Sequence, residues 1–565
     1  MQPVLTAAQM REVDRLTTEK YGTPSIILME NAANAVARVI TEKLGGSVKM
    51  KEILILCGPG NNGGDGAALA RMLADAEAAV AVVLLGTLER TKGDARINFD
   101  RLTALAASSE LRFFEAADIE DASRLLEKHE WDELSCVVDA IFGTGLRSPR
   151  DDVNKLAASF PDVLHVAVDI QSGLMADRSD VQGTQFRPPD VTVTFTAPKP
   201  ANILPPASNF NGELVVANIG SPDELVDAQH SQLFLAENAD AKAWLDGTSF
   251  SHDSYKNQRG HSLVIAGSES YSGAAVLAGN AAMRSGVGLV TVATPSSSKD
   301  SVAVRLLPEV MVRGVAETEN GAIAEEAFDE IDDLLNKADS IAIGCGLSQS
   351  ESTREFVKKV VAERHQPVVV DADALNLLSP LSAKWPPADT GSSDYWPPAD
   401  TGRSDSIPLI LTPHEGEFRR LIGEAKNHPD ATKDAASPLL RKEGSQIEDR
   451  VAAVREFAAK YKVILVLKGE RVLIGAPDGR VVVNPTGNSG LGKAGNGDTL
   501  TGILAGFTAQ AVKMNIDIFE TVVAAVYVAG MAGDIAEQKY GKRVMTASDV
   551  RECLVDVFER LGSTE

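Results

Sequence analysis

The chain has 565 residues, too many for one ordinary core, and its 44% apolar and 24% charged content fits soluble globular domains. Basic residues number 55 against 79 acidic, a formal net charge of −24 that argues against nucleic acid or an anionic membrane surface as the main partner. The four cysteines, Cys57, Cys136, Cys345 and Cys553, show neither metal-ligand spacing nor a disulfide framework, so a reducing cytoplasm is the expected setting. The N-terminus MQPVLTAAQMREVD lacks an apolar signal core, and no run is expected to approach the ~20 residues that span a bilayer.

Thr6 with Gln9 predicts a capping box opening the first helix. Apolar runs then alternate with helical stretches: Ile53–Leu56, Val80–Leu85, Val137–Val138 entering Asp139, Leu164–Val168 entering Asp169, Val191–Thr196 and Leu214–Ile219. Continuous apolarity predicts strands buried on both faces, hence a parallel sheet wrapped by helices. Ser221 to Ser254 is more polar and reads as a connection between domains. The pattern restarts with Leu263–Ala266, Leu289–Ala293, Ile341–Ile343, Val368–Val370, Leu409–Leu411 and Ile464–Leu467. The expectation is α/β with two domains, 1–225 and 240–565, and ligand sites at the carboxyl ends of the strands. Gly58, Asp139, Asp169, Gly344, Asp371, His414 and Lys468 stand at such ends. Trp385 to Asp394 and Trp396 to Asp405 are near-duplicates, WPPADTGSSD and WPPADTGRSD, with the composition of a solvated insertion. Ala425 to Arg450 reads as a polar loop or short surface helix.

Two glycine-rich stretches carry chemistry. Cys57 to Gly66, CGPGNNGGDG, follows a strand and precedes a helix, yet matches neither the dinucleotide fingerprint nor the Walker loop. Its five glycines are read as opening conformations closed to other residues, so that a ligand can approach the main chain. Asn488 to Gly502, NSGLGKAGNGDTLTG, places Gly495-Asn496-Gly497 before Asp498 at a helix start. Unpaired N–H groups and the helix dipole there suit a phosphoryl group, and Asp498 is placed to deprotonate an attacking hydroxyl. A glycine loop with a capping aspartate accounts for the same residues. On an acidic chain, an anionic ligand depends on such local amides and a few lysines.

With Asp139–Leu146 (DAIFGTGL), Val168–Leu174 (VDIQSGL), Phe195–Pro200 (FTAPKP), Gly267–Ala275 (GSESYSGAA), Gly344–Leu347 (GCGL), Val370–Asn376 (VDADALN), Leu411–Phe418 (LTPHEGEF) and Lys468–Gly469, these stretches resemble the bifunctional NAD(P)H-hydrate repair enzyme family. The resemblance covers nearly the whole chain. It implies a Rossmann-like N-terminal epimerase domain of YjeF type and a C-terminal ribokinase-like, ADP-dependent dehydratase domain. In the first, Asn61, Asn62, Gly63, Gly64 and Asp65 would receive the hydrated cofactor's phosphates. Gly143, Thr144, Gly145, Leu146 and Arg147 would line the ligand, and Asn62, Asp139 and Ser172 would hold potassium. Asp169 and Lys199 would handle protons near the ring. In the second, Ala274, Gly346, His414 and Asp498 would contact the hydrated cofactor. Lys468, Gly469, Glu470, Arg471, Val472, Asn488, Ser489, Gly490, Leu491, Gly492, Lys493, Ala494, Gly495, Asn496 and Gly497 would hold ADP, with magnesium accompanying the nucleotide. The family also implies a homo-oligomer.

The chain departs from the family pattern at Gln171 (usually proline), Met175 (usually Asp or Asn), Cys345 (usually proline) and Val472 (usually threonine). Gln171 is expected to loosen a turn between Asp169 and Ser172, and Val472 to remove a hydroxyl from the nucleotide pocket. A ribokinase-like small-molecule kinase fused to a binding domain is the rival enzyme. A non-catalytic scaffold is the other alternative, disfavoured by the retained Asp65, Asp139 and Asp169.

Overall fold

The computed structural model describes residues 1–128, 133–146, 148, 153, 156, 162–181, 187–381, 407–423 and 449–562. Arg147, the tandem WPPADTG segment and nearly all of 425–450 lie outside the described residues. The chain divides into two compact units, Gln2–Leu233 and Phe234–Glu565, the latter joined by Met1.

The first unit is built on a seven-stranded sheet: β1 Glu52–Cys57, β2 Ala79–Leu85, β3 Arg112–Ala116, β4 Leu134–Ala140, β5 Leu164–Val168, β6 Val191–Phe195 and β7 Glu213–Ala217. All pairs are parallel, in the order β3-β2-β1-β4-β5-β6-β7. The order reverses between β1 and β4, so the loops after these strands part in opposite directions and leave a crevice. Both glycine-rich signatures of this unit follow those two strands. The capping box is present, Thr6 Oγ1 accepting from Gln9 N at 3.3 Å and Gln9 Oε1 accepting from Thr6 N at 2.9 Å.

The glycines of the first loop serve a different purpose from the one read in the sequence. None of Gly58, Gly60, Gly63, Gly64 and Gly66 has a positive φ. A Cβ on Gly58 would lie 2.0 Å from the Ile141 carbonyl oxygen, and one on Gly63 1.7 Å from that of Gly58. Gly64 and Gly66 are likewise filled, by Ala95 with Met29 and by Cys57 with Ala140. Gly66 lets the helix Asn61–Asp75 sit hard against β1 and β4, Gly64 lets it meet the helices that carry Met29 and Ala95, and Gly58 and Gly63 close the loop on itself and on Ile141; only Gly60 faces open space.

The second unit contains β8 His261–Ile265, β9 Leu289–Pro295, β10 Met311–Val315, β11 Ser340–Ile343, β12 Val368–Val370, β13 Leu409–Leu411, β14 Ile464–Leu467, β15 Val472–Gly475 and β16 Val481–Asn484. Their order is β10-β9-β8-β11-β12-β13-β14-β15-β16, again reversing beside the first strand. Pairing is parallel as far as β14, but β14–β15 and β15–β16 are antiparallel, which corrects the all-parallel expectation. Antiparallel neighbours need only a short turn, here closed by Ala476 N on the Arg480 carbonyl at 2.8 Å.

Ser221 to Ser254 is not a bare connection. It forms the helices Asp223–Asp227 and Asn238–Gly247 and the strand Leu233–Leu235, and Trp244 stacks on Phe507 with centroids 3.9 Å apart. The helix Ile518–Tyr540 is long and apolar enough to cross a membrane, contrary to the sequence reading. Yet 67% of its most apolar window is buried in this unit's core, where apolarity needs no lipid. The helix Asn496–Met514 packs on Ser272–Arg284 through bare backbone: a Cβ on Gly502 would lie 2.1 Å from the Ala278 carbonyl oxygen, and one on Gly506 1.9 Å from Ser285 Oγ.

Candidate functional site

In the first unit, β5 is followed directly by Asp169, held at φ +67° in the left-handed region. Lys199 Nζ donates to Asp169 Oδ1 at 2.7 Å, to Thr194 Oγ1 at 2.8 Å and to the Phe195 carbonyl at 3.1 Å. All three ammonium donors are therefore spent, and Lys199 is 1% exposed. It is a buried anchor whose donors all go to protein. Asp169 Oδ2 accepts from Thr144 N at 3.3 Å and would lie 2.9 Å from a Cβ on Gly143, as would Asn62 Oδ1 at 3.1 Å. Gly143 thus leaves room where Asn62 and Asp169 converge.

Asp139 sits inside β4, one residue before its end. Its carboxylate accepts from Ser172 N at 2.8 Å and Ser172 Oγ at 2.6 Å, while Phe142 N donates to Ser172 Oγ at 2.9 Å. Asp139 and Ser172 are in direct contact, and Asn62 reaches them through Phe142-Gly143. Burial pushes the Asp139 carboxyl up, while hydroxyl and amide donors from Ser172 and Ile141 pull it down; among the described residues no cationic side chain pairs with it. Burial also pushes Asp65 well above the usual carboxylate range. Asn61 is exposed at the helix start, whereas the Gly64 N–H is already taken by the Gly60 carbonyl at 3.0 Å. Gly145 faces open space and Leu146 N closes a turn on Gly143. Gln171 Nε2 donates to the Arg187 carbonyl at 2.8 Å. Met175 supports the next turn through its carbonyl, which accepts from Arg178 N.

Sequence reasoning missed Asp14, on the helix Ala7–Tyr21. Burial raises its carboxyl to about 6, opposed by the charge of Lys199 and assisted by that of Asp169. The signal was there: Asp14 falls four residues after buried Met10 and three before buried Thr17, a charge on the apolar stripe.

In the second unit, Lys468 Nζ donates to Asp371 Oδ1 at 2.7 Å, and Thr501 Oγ1 to Asp371 Oδ2 at 2.8 Å. Burial would raise Asp371, but Lys468 and the hydroxyl donors outweigh it and hold the carboxyl below its ordinary value. A Cβ on Gly497 would lie 3.5 Å from Asp371 Oδ2 and 3.6 Å from Lys468 Nζ, so the start of the helix Asn496–Met514 abuts this pair. Its N-cap is Gly495, at φ +90°, with no side chain to cap the first turn. Burial raises the Asp498 carboxyl, and the neighbouring Cys345 thiol, which stands where the family has proline, lowers it in part.

Gly346, at φ +65°, packs on Ala274, a Cβ on it lying 2.9 Å from Ala274 Cβ, so these two predicted residues adjoin. His414 caps the helix Glu415–Leu421, its Nδ1 accepting from Gly416 N at 3.0 Å, and bridges in parallel to Lys468. Burial lowers its pKa despite Glu417, whose Oε1 lies 3.5 Å from His414 Nε2.

The expected nucleotide residues divide. Gly469 lies beneath Arg450, whose Nη2 would be 2.4 Å from a Cβ there, a cation the sequence reading had placed in a loop. Glu470 is exposed, while Arg471 donates to the Pro485 carbonyl. Val472 packs against the core, which accounts for the missing hydroxyl. Asn488 is bound to Gly533 and Asp534, and its Oδ1 accepts from Gly490 N at 2.8 Å. Ser489, Gly490 and Leu491 form a single 3-10 turn ending at Gly492. Lys493 Nζ donates to the Arg543 and Met545 carbonyls at 2.7 and 2.9 Å, and so ties down the loop leading through Ala494 to Asn496.

A family model described as NAD(P)H-hydrate dehydratase matches residues 262–555, and one described as YjeF-related protein N-terminus matches 25–201. A bifunctional NAD(P)H-hydrate repair enzyme of Moorella thermoacetica is 37% identical over 99% of this chain and 97% of its own length. Its counterpart in Thermofilum pendens is 32% identical over 96% of this chain and 94% of its own. An ADP/ATP-dependent NAD(P)H-hydrate dehydratase structure from Bacillus subtilis, co-crystallised with ATP and magnesium, is 28% identical, with a TM-score of 0.44 over 58% of this chain and 98% of its own. Whole-chain similarity to two-activity relatives leaves the fused-kinase alternative less supported.

Proposed function

We infer that this chain, which belongs to the bifunctional NAD(P)H-hydrate repair enzyme family, restores hydrated nicotinamide cofactors through the two sites just described. Its first unit is the epimerase and its second the dehydratase. The observation that carries the mechanism is the juxtaposition of an uncapped helix start, Asp498 and the Lys468–Asp371 pair.

Hydroxide at C6 of the hydrated ring is a poor leaving group, and phosphorylation makes it a good one. Asp498 accepts the hydroxyl proton as oxygen attacks the terminal phosphoryl of ADP, releasing AMP. Amides of Gly495, Asn496 and Gly497 stabilise the phosphoryl in flight, and Lys468 offers the donors that Asp371 leaves free. Phosphate then departs from C6 with loss of a proton from C5, restoring the dihydropyridine. His414, with Gly346 and Ala274, contacts the S epimer of the hydrated cofactor. Magnesium bound with the nucleotide would neutralise its phosphates, and no protein ligand is assigned to it: among the described residues no three His, Cys, Asp or Glu side chains cluster as a metal site.

In the epimerase, Asn62, Asp139 and Ser172 fit potassium. The donors are hard oxygens, and Asp139 is a buried carboxylate lacking a cationic partner among the described residues. Gly60, Asn61 and the Gly143–Leu146 turn admit the cofactor, and Asp169 moves the proton. Self-association into a homo-oligomer belongs to the same reading and is checked by light scattering. The primary test incubates purified protein with mixed NADHX epimers, with ADP, with ATP or with neither, and follows NADH absorbance. Complete ADP-dependent recovery from both epimers is expected; no nucleotide-dependent recovery would sink the reading.

A further inference from the structure

The helix Ala7–Tyr21 is seated on the turn that carries Lys199. Leu5 N donates to the Pro198 carbonyl at 3.0 Å, and Leu5, Met10 and Val13 pack with Ala197. This docking delivers Asp14 to the epimerase crevice. Asp14 Oδ1 is buried without a hydrogen-bond partner, and its carboxyl interacts electrostatically with Lys199, Asp169 and Asp65. A second such group lies beside Asp169: Asn62 is 9% exposed, its Nδ2 has no hydrogen-bond partner among the described residues, and its Oδ1 and Asp169 Oδ2 converge on Gly143. Leaving two buried polar groups unmade costs stability, and a fold retains that cost where a ligand supplies the missing partners.

We propose that Asp14 is a catalytic acid of the epimerase, donating a proton to the C6 hydroxyl while Asp169 serves as the base. The proposal rests on the epimerase assignment above. The C6 carbon bears both oxygen and the ring nitrogen. Protonated Asp14 gives its proton to the hydroxyl, the C6–O bond breaks, and water leaves as the N1 lone pair forms N1=C6. Water then adds to the other face of C6, forming the new C6–O bond, and its proton passes to Asp169. The electron pair returns to N1, nothing is oxidised, and exchange with solvent moves the proton from Asp169 back to Asp14. Two carboxyls can divide the roles because their surroundings differ. Asp169 bonds to the Lys199 ammonium, while Asp14 has no such bond and is raised to about 6.

The test follows interconversion from one purified NADHX epimer by chromatography, with potassium and without nucleotide, from about pH 5 to 8.5. Wild-type initial rate should decline as pH rises through about 6, where Asp14 loses its proton. Asp14→Asn should lower the rate about 100-fold or more and abolish that decline. Its Tm should not fall, and dehydration of the S epimer should continue at the wild-type rate. Asp14→Glu should keep the declining limb. An Asn variant within threefold of wild type with the limb intact overturns the proposal. So do Asn and Glu variants equally inactive with lowered Tm, since the residue then only holds the helix. A wild-type chain that interconverts nothing overturns the epimerase assignment and Asp14 with it.

Discussion

Both units close their site with the same pair, a strand-end aspartate and a lysine 2.7 Å apart, and use it in opposite senses. In the first, Lys199 has all three donors satisfied by protein and is sealed from solvent, so the ammonium is spent and only Asp169, which accepts from Lys199, Thr194 Oγ1 and Thr144 N, keeps a lone pair to offer. In the second, Lys468 gives Asp371 one donor and its side chain is 22% exposed, so the ammonium keeps donors to offer. Which partner is saturated decides what an ion pair does. The identical strand order around β1 and β8 sharpens the contrast, because the two sheets deliver their loops to equivalent crevices.

The largest effect expected separates the sites entirely. Asp498→Asn should cut ADP-dependent NADH recovery ~10²–10⁴-fold, while calorimetry still detects ADP and chromatography still shows epimer interconversion. Loss of both activities in a folded chain would join sites that the comparison keeps apart. Next, Lys199→Met strands Asp169 and should cost about 3–5 kcal/mol of stability by chemical denaturation, the usual penalty for orphaning a buried charge. A stable Lys199→Met protein would break the comparison, because Lys199 would then not be an anchor.

The Asp14 prediction has the opposite sign. Its folded pKa of about 6 lies above the ordinary 3.8, so ionisation penalises the fold: nothing below the ordinary value, in full above pH 6. At one unit per 1.36 kcal/mol, that is about 3 kcal/mol at most. Asp14→Asn should therefore melt higher than wild type at pH 7.5, with the gap closing near pH 4. The smallest effect belongs to Lys468→Met, which should weaken ADP binding by about 1.5–3 kcal/mol, read by calorimetry, the worth of one charge-assisted hydrogen bond. If Lys468→Met instead unfolded the chain and bound ADP normally when folded, the two lysines would be equivalent after all.

Most central strands were legible because burial on both faces leaves an unbroken apolar run, as at Ile53–Leu56 within β1; β15 and β16, also buried, were not singled out. The edge strands β3 and β10 were not, since their outer faces are wet and RFFEA and MVRGV mix polar and apolar residues. Ser221 to Ser254 was misread for a related reason: short helices with one buried face, such as Asn238–Gly247, look polar on average. Family motifs located Asp139, Asp169, Lys468 and Asp498, while the partners that tune them came from distant chain. Asp371 was visible as a strand end without its role, because its partner is 97 residues away. Asp14 belongs to no motif, and only the docking of its helix gives it meaning.

Gly502 and Gly506 turn a packing detail into a dimensional standard. The helix Asn496–Met514, with Asp498 in its first turn, and the one that carries Ala274 meet through bare glycines, Gly502 against the Ala278 carbonyl and Gly506 against the Ser285 hydroxyl, which leaves little between them to compress. The gap between base and pocket wall is therefore cut to a gauge, the way a shim-free joint holds its tolerance. A single methyl at Gly502, four residues beyond Asp498, would act as a wedge. Since a misplacement of about 1 Å can cost 10²-fold in rate, this position should behave kinetically like a catalytic one although it meets no ligand.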